Sequence, residues 1–209
     1  MASIRKMVSN VCFMVLACIA FSAPVLAQVI SSTVDETILL DEKKTPLGLY
    51  LLPSDAAEAL SANLGIVFLD VRDPDEVNLI GHPTSIDANV PIAFFTYEFD
   101  AKRGGYKIVP NKDFISQAER IISREGIGKD GTIFVMCRSG GRSAMAAKAL
   151  VKAGYTNVWN LVEGFEGDKD DQGVRSLNGW RNAGLPWSYK LKPEQAWIST
   201  HTGTSLDID

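Results

Sequence analysis

The stretch that decides the reading of this chain is "TIFVMCRSGGRSAMAAKALVKAGY", Thr132 to Tyr155. Five residues that suit a β-strand run straight into a cysteine. Arg138, Ser139, Gly140, Gly141 and Arg142 follow, and the chain then enters an alanine-rich helical pattern from about Arg142 to Ala153. An apolar run of strand length, bounded by charge, suits a strand covered on both faces, as in a parallel sheet. A strand that ends at a helix start leaves backbone N–H groups unpaired and pointing into the loop, where the helix dipole adds positive potential. Gly140 and Gly141 are expected to supply the positive φ values of such a cradle, and Arg138 and Arg142 to supply two permanent charges. A thiol at that focus should lose its proton more readily than a free cysteine, whose pKa is about 8.5.

The rest of the chain agrees with alternating strands and helices. "IVFLDV" (Ile66–Val71) and "TNVWNL" (Thr156–Leu161) read as further strands, and "ANVPI" (Ala88–Ile92) as a weaker one near an edge because of Pro91. "GLYLLPSDAAEAL" (Gly48–Leu60) reads as a short strand, a break at Pro53 and a helix capped by Ser54. Phe114, Ile115, Ala118, Ile121 and Ile122 form one apolar stripe, with Asn111 as its N-cap. The stretch "FFTYEFDAKRGGY" (Phe94–Tyr106) is aromatic and glycine-rich, and the connections along the chain contain no tight hairpin signal. This order predicts an α/β domain with a mostly parallel sheet, in which ligands sit at the carboxyl ends of the strands. Cys137 is placed at such an end.

Arg5 and Lys6, the apolar run Val11–Phe21 and "APVLAQ" have the layout of a secretory signal, residues 1–27. A membrane span and lipidation at Cys18 are the alternatives; the run is short for a span, and Leu16 fits a lipoprotein box poorly. Removing 27 of the 209 residues leaves 182, and the formal charge moves from −4 to −6 because that segment carries two basic residues and no acidic one. A mildly acidic chain without a dense basic run argues against nucleic acid and, after cleavage, against a membrane partner. The expected location is periplasmic or secreted. Cys12 and Cys18 leave with the signal, so Cys137 is expected to be a solitary thiol, either buried and inert or kept for its reactivity.

Cys137 to Arg142 encloses four residues, C-x4-R, where cysteine phosphatases use C-x5-R; the shorter ring suits a cysteine carrying one extra sulfur. Together with "LDVRDPDEVNLIGH" (Leu69–His82), "ANVPI", "AGYTNVWNL" and "GWRNAGLPW" (Gly179–Trp187), the loop resembles that of single-domain rhodaneses across roughly Leu49 to Trp187. The resemblance implies a three-layer α/β fold, with a five-stranded, mostly parallel sheet and helices on both faces. It also implies sulfurtransferase activity without a cofactor. A sulfane sulfur would pass from a small anionic donor such as thiosulfate, through a persulfide on Cys137, to cyanide or a thiol. An exported protein is a further candidate acceptor. Arg138, Ser139, Gly140, Gly141, Arg142 and Ser143 are the expected substrate-binding residues. Asp70 and Arg72 are either site wall or, as the favoured alternative, an internal ion pair; Glu76 and His82 are read as structural. The competing functions are a rhodanese-like binding or sulfur-delivery module with little free turnover, suggested by "FFTYEF" and "PEQAWI", and a cysteine phosphatase.

The expected organisation is a signal (1–27), a loosely ordered leader (28–47), a rhodanese domain (48–190) with an insertion around 163–180, and a polar tail (191–209). The insertion's "DKDDQGVRSLNG" (Asp168–Gly179) begins like a calcium loop, but Gly179 stands where the bidentate glutamate belongs. It is read as an acidic, metal-free loop at the pocket rim with Phe165 and Trp180.

Overall fold

The computed structural model describes residues 30–198 except 63, 64 and 103. The predicted signal peptide therefore lies outside the described residues. Strands β1 (Tyr50–Leu51), β2 (Val67–Asp70), β4 (Ala88–Asn89), β7 (Ile133–Met136) and β8 (Val158–Leu161) form one sheet in the order β1-β8-β7-β2-β4, with every pairing parallel. Helix α1 spans Pro53–Ser61, α2 Pro74–Ile80, α3 Phe114–Arg124 and α4 Gly141–Lys152.

The continuous apolar runs are explained by alternation between two cores. Val67 and Leu69 of β2, with Ile133 and Val135 of β7, pack with Phe114, Ala118 and Ile122 of α3 and Ala146, Ala147 and Leu150 of α4. Phe68, Phe134 and Met136 point the other way, toward Ala56 and Ala59 of α1 and toward Phe165 and Trp180. Both faces of the sheet are thus sealed, and β7 lies at its centre. The chain can leave β7 only at the sheet's carboxyl edge, and the first residue there is Cys137.

Several local expectations are corrected. Pro53 does not break the chain but opens α1 at its first position, where a missing N–H costs nothing. Asn111 is not the cap of α3, which is Asp113; its Oδ1 accepts from the Asp113 N–H (3.0 Å) while its Nδ2 donates to Pro91 O (2.7 Å). The aromatic stretch is an antiparallel hairpin, β5 (Ala93–Asp100) with β6 (Gly105–Pro110), closed by Gly104 at φ +64°. The adjacent phenylalanines and the register shift between Phe95 and Phe99 hide its period-two pattern. Another short pair, β3 (His82–Pro83) and β9 (Trp187–Ser188), ties the segment after α2 to the "GLPW" end.

The leader and tail are docked where they are described. Residues 36–38 and 41–43 form 3-10 turns. Glu36 accepts from the Tyr50 hydroxyl (3.1 Å), Lys43 O accepts from Asn160 Nδ2 (2.9 Å), and Lys43 Nζ pairs with Asp168 (3.1 Å). In the tail, Gln195 is buried; its Nε2 donates to Ile86 O (2.7 Å) and its carbonyl accepts from Asn89 N (2.7 Å), extending the edge at β4. Trp197 donates to Gln117 Oε1 (3.1 Å) and lies 5.0 Å from the Phe94 ring, so "PEQAWI" is used within the chain itself.

Asp70 and Arg72 are fully buried and paired with each other, which excludes them as a solvent-facing site wall. Arg72 Nε reaches Asp70 Oδ1 at 2.9 Å, its Nη2 reaches Oδ2 at 2.5 Å and Gly81 O at 2.7 Å, and its guanidinium stacks on Phe165 at 4.4 Å. The pair ties the segment that leads into α2 to Gly81 O at the end of that helix. Asp70→Asn would leave a buried guanidinium without its counter-charge, so a loss of about 3–5 kcal/mol in urea unfolding is expected.

Candidate active site

Cys137 is 1 % exposed and sits between the end of β7 and the first residue of α4. The Gly140 N–H donates to its Sγ at 3.2 Å, and the Ser143 hydroxyl lies 3.3 Å from the same sulfur. That hydroxyl is also 3.0 Å from Gly140 O. Its single proton can serve only one acceptor. Gly140 O already accepts from Ala144 N (3.1 Å) and from Asn160 Nδ2 (3.3 Å), which occupies both of its lone pairs and leaves the serine proton available to the sulfur. The loop therefore closes on the thiol.

Only one of the two glycines is needed for its backbone. Gly140 has φ +97° and ψ −27°, and a β-carbon there would lie 2.2 Å from Val162 O. Gly141 is the first residue of α4, is absent from the positive-φ glycines, and a β-carbon there would meet only Glu42 Oε1, at an ordinary 4.0 Å. A further glycine, which the sequence pattern did not single out, closes the loop from outside. Gly164 has φ +66°, and a β-carbon on it would lie 2.6 Å from Cys137 O and from Ser139 N. The approach lets Phe165 N donate to Cys137 O (2.8 Å) and Glu166 N and Gly167 N donate to Arg138 O (3.0 and 3.2 Å). Phe165 and Trp180 themselves are core residues, not rim.

Both loop arginines are matched with carboxylates. Arg142 is bonded to Glu76 through both terminal nitrogens, Nη2 to Oε1 at 2.7 Å and Nη1 to Oε2. It also lies 5.8 Å from the Phe95 ring. Arg138, its side chain 41 % exposed, pairs through Nε with Glu166 Oε2 at 2.8 Å. Glu76 is thus part of the site framework. It closes a capping box with Asp73 at the start of α2, and Asp73 in turn accepts from Phe95 N (2.9 Å), which ties the hairpin to the same corner. "DPDE" carried the capping signal, but nothing in its spacing indicated that the glutamate would reach Arg142, 66 residues away.

Burial alone would raise the Glu76 carboxyl. Arg142, by hydrogen bond and charge, with further help from Arg72 and Arg138, overrides it and holds Glu76 below the ordinary glutamate range. Burial likewise disfavours the Arg142 charge, but Glu76, and then the Cys137 and Asp70 charges, hold its proton more firmly than usual. The insertion is also built by its own contacts. Asp170 accepts from Gln172 N (2.9 Å), Val174 N (2.9 Å) and the Ser176 hydroxyl (2.5 Å), while the Asp168 carboxylate accepts from Asn178 Nδ2 (3.2 Å) and pairs with Lys43 (3.1 Å). Those bonds engage the carboxylates that resembled calcium positions. His82 lies buried with Nδ1 against Pro83 O (2.9 Å), and His201 is outside the described residues.

Residues 53–171 match the model of the rhodanese-like domain. The chain belongs to the rhodanese-like domain family. An uncharacterized protein of Rickettsia conorii is 30% identical over 134 residues, covering 64% of this chain and 92% of that protein. Thiosulfate sulfurtransferase 16, chloroplastic, from Arabidopsis thaliana is 30% identical over 138 residues, covering 65% of this chain and 92% of the relative. Among solved structures, Rv0390 from M. tuberculosis superposes with a TM-score of 0.52 at 31% identity, covering 68% of this chain and 97% of its own. The rhodanese-like domain here thus has the family's five-stranded parallel sheet, with its cysteine loop at the carboxyl edge.

Gly140→Ala should lower stability by roughly 2–5 kcal/mol, through left-handed strain and collision with Val162 O, as read by denaturant unfolding. Glu76→Gln should be about 3 kcal/mol less stable at pH 7. Because the folded Glu76 pKa is depressed, its contribution is fully present above the unfolded value of about 4.3 and is lost as pH falls through the folded one. The gap between wild type and Glu76→Gln should therefore begin to narrow in melts taken below about pH 4.3 and close only at pH values below the depressed folded one.

Proposed function

We propose that this rhodanese-like domain is a sulfurtransferase that carries sulfane sulfur as a persulfide on Cys137. The observation that carries the proposal is the convergence of the Gly140 N–H and the Ser143 hydroxyl on Cys137 Sγ in a buried loop. Donors fixed before reaction favour a negative charge on sulfur without reorganising, and they act at full strength where water is excluded.

With thiosulfate, the Cys137 thiolate attacks the sulfane sulfur. The Cys137 S–S bond forms, the donor S–S bond breaks, and sulfite leaves with the electron pair. Cyanide or a thiolate then attacks the outer sulfur and returns the Cys137 thiolate. Neither half-reaction moves a proton at the cysteine once it is ionised, so no histidine is needed beside it. Arg142, held by Glu76, favours charge on the loop sulfur, and half-exposed Arg138 is the contact for the departing oxyanion. The name of the Arabidopsis relative supports thiosulfate as a donor. The signal-like first 27 residues support export to the periplasm or beyond.

One observation favours an acceptor larger than cyanide. Tyr97 is 98 % exposed on β5, with Phe99 and Tyr106 also open to solvent, on the hairpin whose Phe95 lies beside Arg142. An exported protein docking on that hairpin would present its own thiol to the persulfide, which is the sulfur-delivery form of the same chemistry.

Incubation with thiosulfate followed by intact mass measurement should show one added sulfur on the wild type and none on Cys137→Ser, with thiocyanate formed on adding cyanide. An unmodified Cys137 under every sulfane donor would overturn the proposal. Turnover of an aryl phosphate, abolished by Cys137→Ser, would replace it with phosphatase chemistry.

A further inference from the structure

Gly140 carries both halves of the loop's contact with Cys137, its N–H on the sulfur and its carbonyl beside the Ser143 hydroxyl. Three donors compete for that carbonyl: Ala144 N at 3.1 Å, Asn160 Nδ2 at 3.3 Å and the Ser143 hydroxyl at 3.0 Å. A carbonyl oxygen has two lone pairs, so one of the three must bond elsewhere. The Ala144 N–H is committed by the first turn of α4. Asn160 gives one amide proton to Lys43 O at 2.9 Å, and Gly140 O is the acceptor for the other. Ser143 alone has an alternative, the Cys137 sulfur at 3.3 Å.

The place of Asn160 in the sheet is an unusual one for an amide. It is fully buried in β8, between Trp159 and Leu161, and is in register with Tyr50 of β1 and Val135 of β7. Both groups that face its Nδ2 are carbonyls, which fixes the orientation of the amide. Its Oδ1 then has no hydrogen-bond partner among the described residues. A buried acceptor left unpaired destabilises the fold, and leucine, with the same branching at Cγ, would remove that cost and keep the strand apolar. Leucine could not fill the Gly140 carbonyl. The leader holds the amide from its other side, through Lys43 O, and Lys43 is itself tied to Asp168 by its side chain at 3.1 Å.

We infer that Asn160 is a positioning residue for Cys137: by occupying the second lone pair of Gly140 O, its amide turns the Ser143 hydroxyl away from the backbone and onto the sulfur. The inference deepens the sulfur transfer proposed above and rests on it for its purpose. A hydroxyl proton aimed at Sγ stabilises the thiolate that attacks the donor and that is restored when the acceptor takes the outer sulfur. Without the amide the hydroxyl returns to the nearer carbonyl, and the thiolate keeps only the Gly140 N–H. Asn160 makes no bond to the sulfur itself and acts through Ser143.

The test follows thiolate formation against pH, by ultraviolet absorbance in difference against Cys137→Ser, so it needs no turnover. Ser143→Ala should move the midpoint up by about 1 pH unit, as expected for one lost hydrogen bond to a charged group. Asn160→Leu should produce most of that shift. Asn160→Thr, whose hydroxyl is one bond short of Gly140 O, should do the same and stands in if the leucine variant does not fold. In the Ser143→Ala background either Asn160 substitution should add less than about 0.3 unit, because the proton it would redirect is already gone. Equal shifts in both backgrounds would overturn the inference and make Asn160 a structural residue, and so would no shift in either. Sulfur uptake from thiosulfate, read by intact mass, separates this inference from the catalytic proposal. Shifted midpoints in a protein that takes up no sulfur would sink sulfur transfer and keep the positioning role. Uptake with unshifted midpoints would do the reverse.

Discussion

The site depends on two close backbone approaches that only glycine allows. Gly140 rests against Val162 O from within the cysteine loop, and Gly164 rests against Cys137 O and Ser139 N from the strand-exit segment that follows β8. Each contact is shorter than any side chain would permit, and each brings N–H groups onto otherwise orphaned acceptors. The Gly140 contact turns its own N–H toward Sγ; the Gly164 contact brings the N–H groups of Phe165, Glu166 and Gly167 onto the loop carbonyls. With its carbonyls bonded outward, the loop keeps donors rather than acceptors around the sulfur. That polarity is what an anionic sulfur requires.

Around this clamp the charges are arranged in matched pairs at two levels. Asp70 and Arg72 are fully buried against each other, with the Arg72 guanidinium stacked on Phe165, so neither side chain is open to solvent. Glu76 and Arg142 stand one layer out, joining the capping box of α2 to the first turn of α4. The interior pairs give little net stability compared with apolar replacements, but removing one partner leaves a stranded charge. Their effect is to fix the angle between α2 and the cysteine loop. Arg138, its side chain 41 % exposed although paired with Glu166, is the loop cation that meets solvent.

The hairpin and the docked ends extend the same logic outward. Asp73 caps α2 and also receives the Phe95 N–H, so the exposed aromatic hairpin is oriented from the residue that helps set Glu76. Lys43 in the leader bonds across to Asp168, and its carbonyl receives Asn160 Nδ2, whose other contact is Gly140 O. Segments remote in sequence therefore converge on one loop through backbone acceptors, where a single side-chain amide bridges two of them.

Local chemistry made much of this molecule legible in the sequence. Continuous apolar runs such as "IVFLDV" and "TIFVM" require cover on both faces, and the alternation of strand and helix leaves a parallel sheet as the arrangement that provides it. A cysteine at the end of such a strand, with four residues between it and an arginine, marks the site and its ring size. Short-range pattern did not decide which charges are free and which are spent. Glu76 reaches Arg142 across 66 residues, and Lys43 reaches Asp168 across 125. Ion pairs have no periodicity to read, and a glycine's close approach depends on the strand that passes it. Those features exist only once the sheet has brought its carboxyl ends together, because their energies depend on distance and burial rather than on order along the chain.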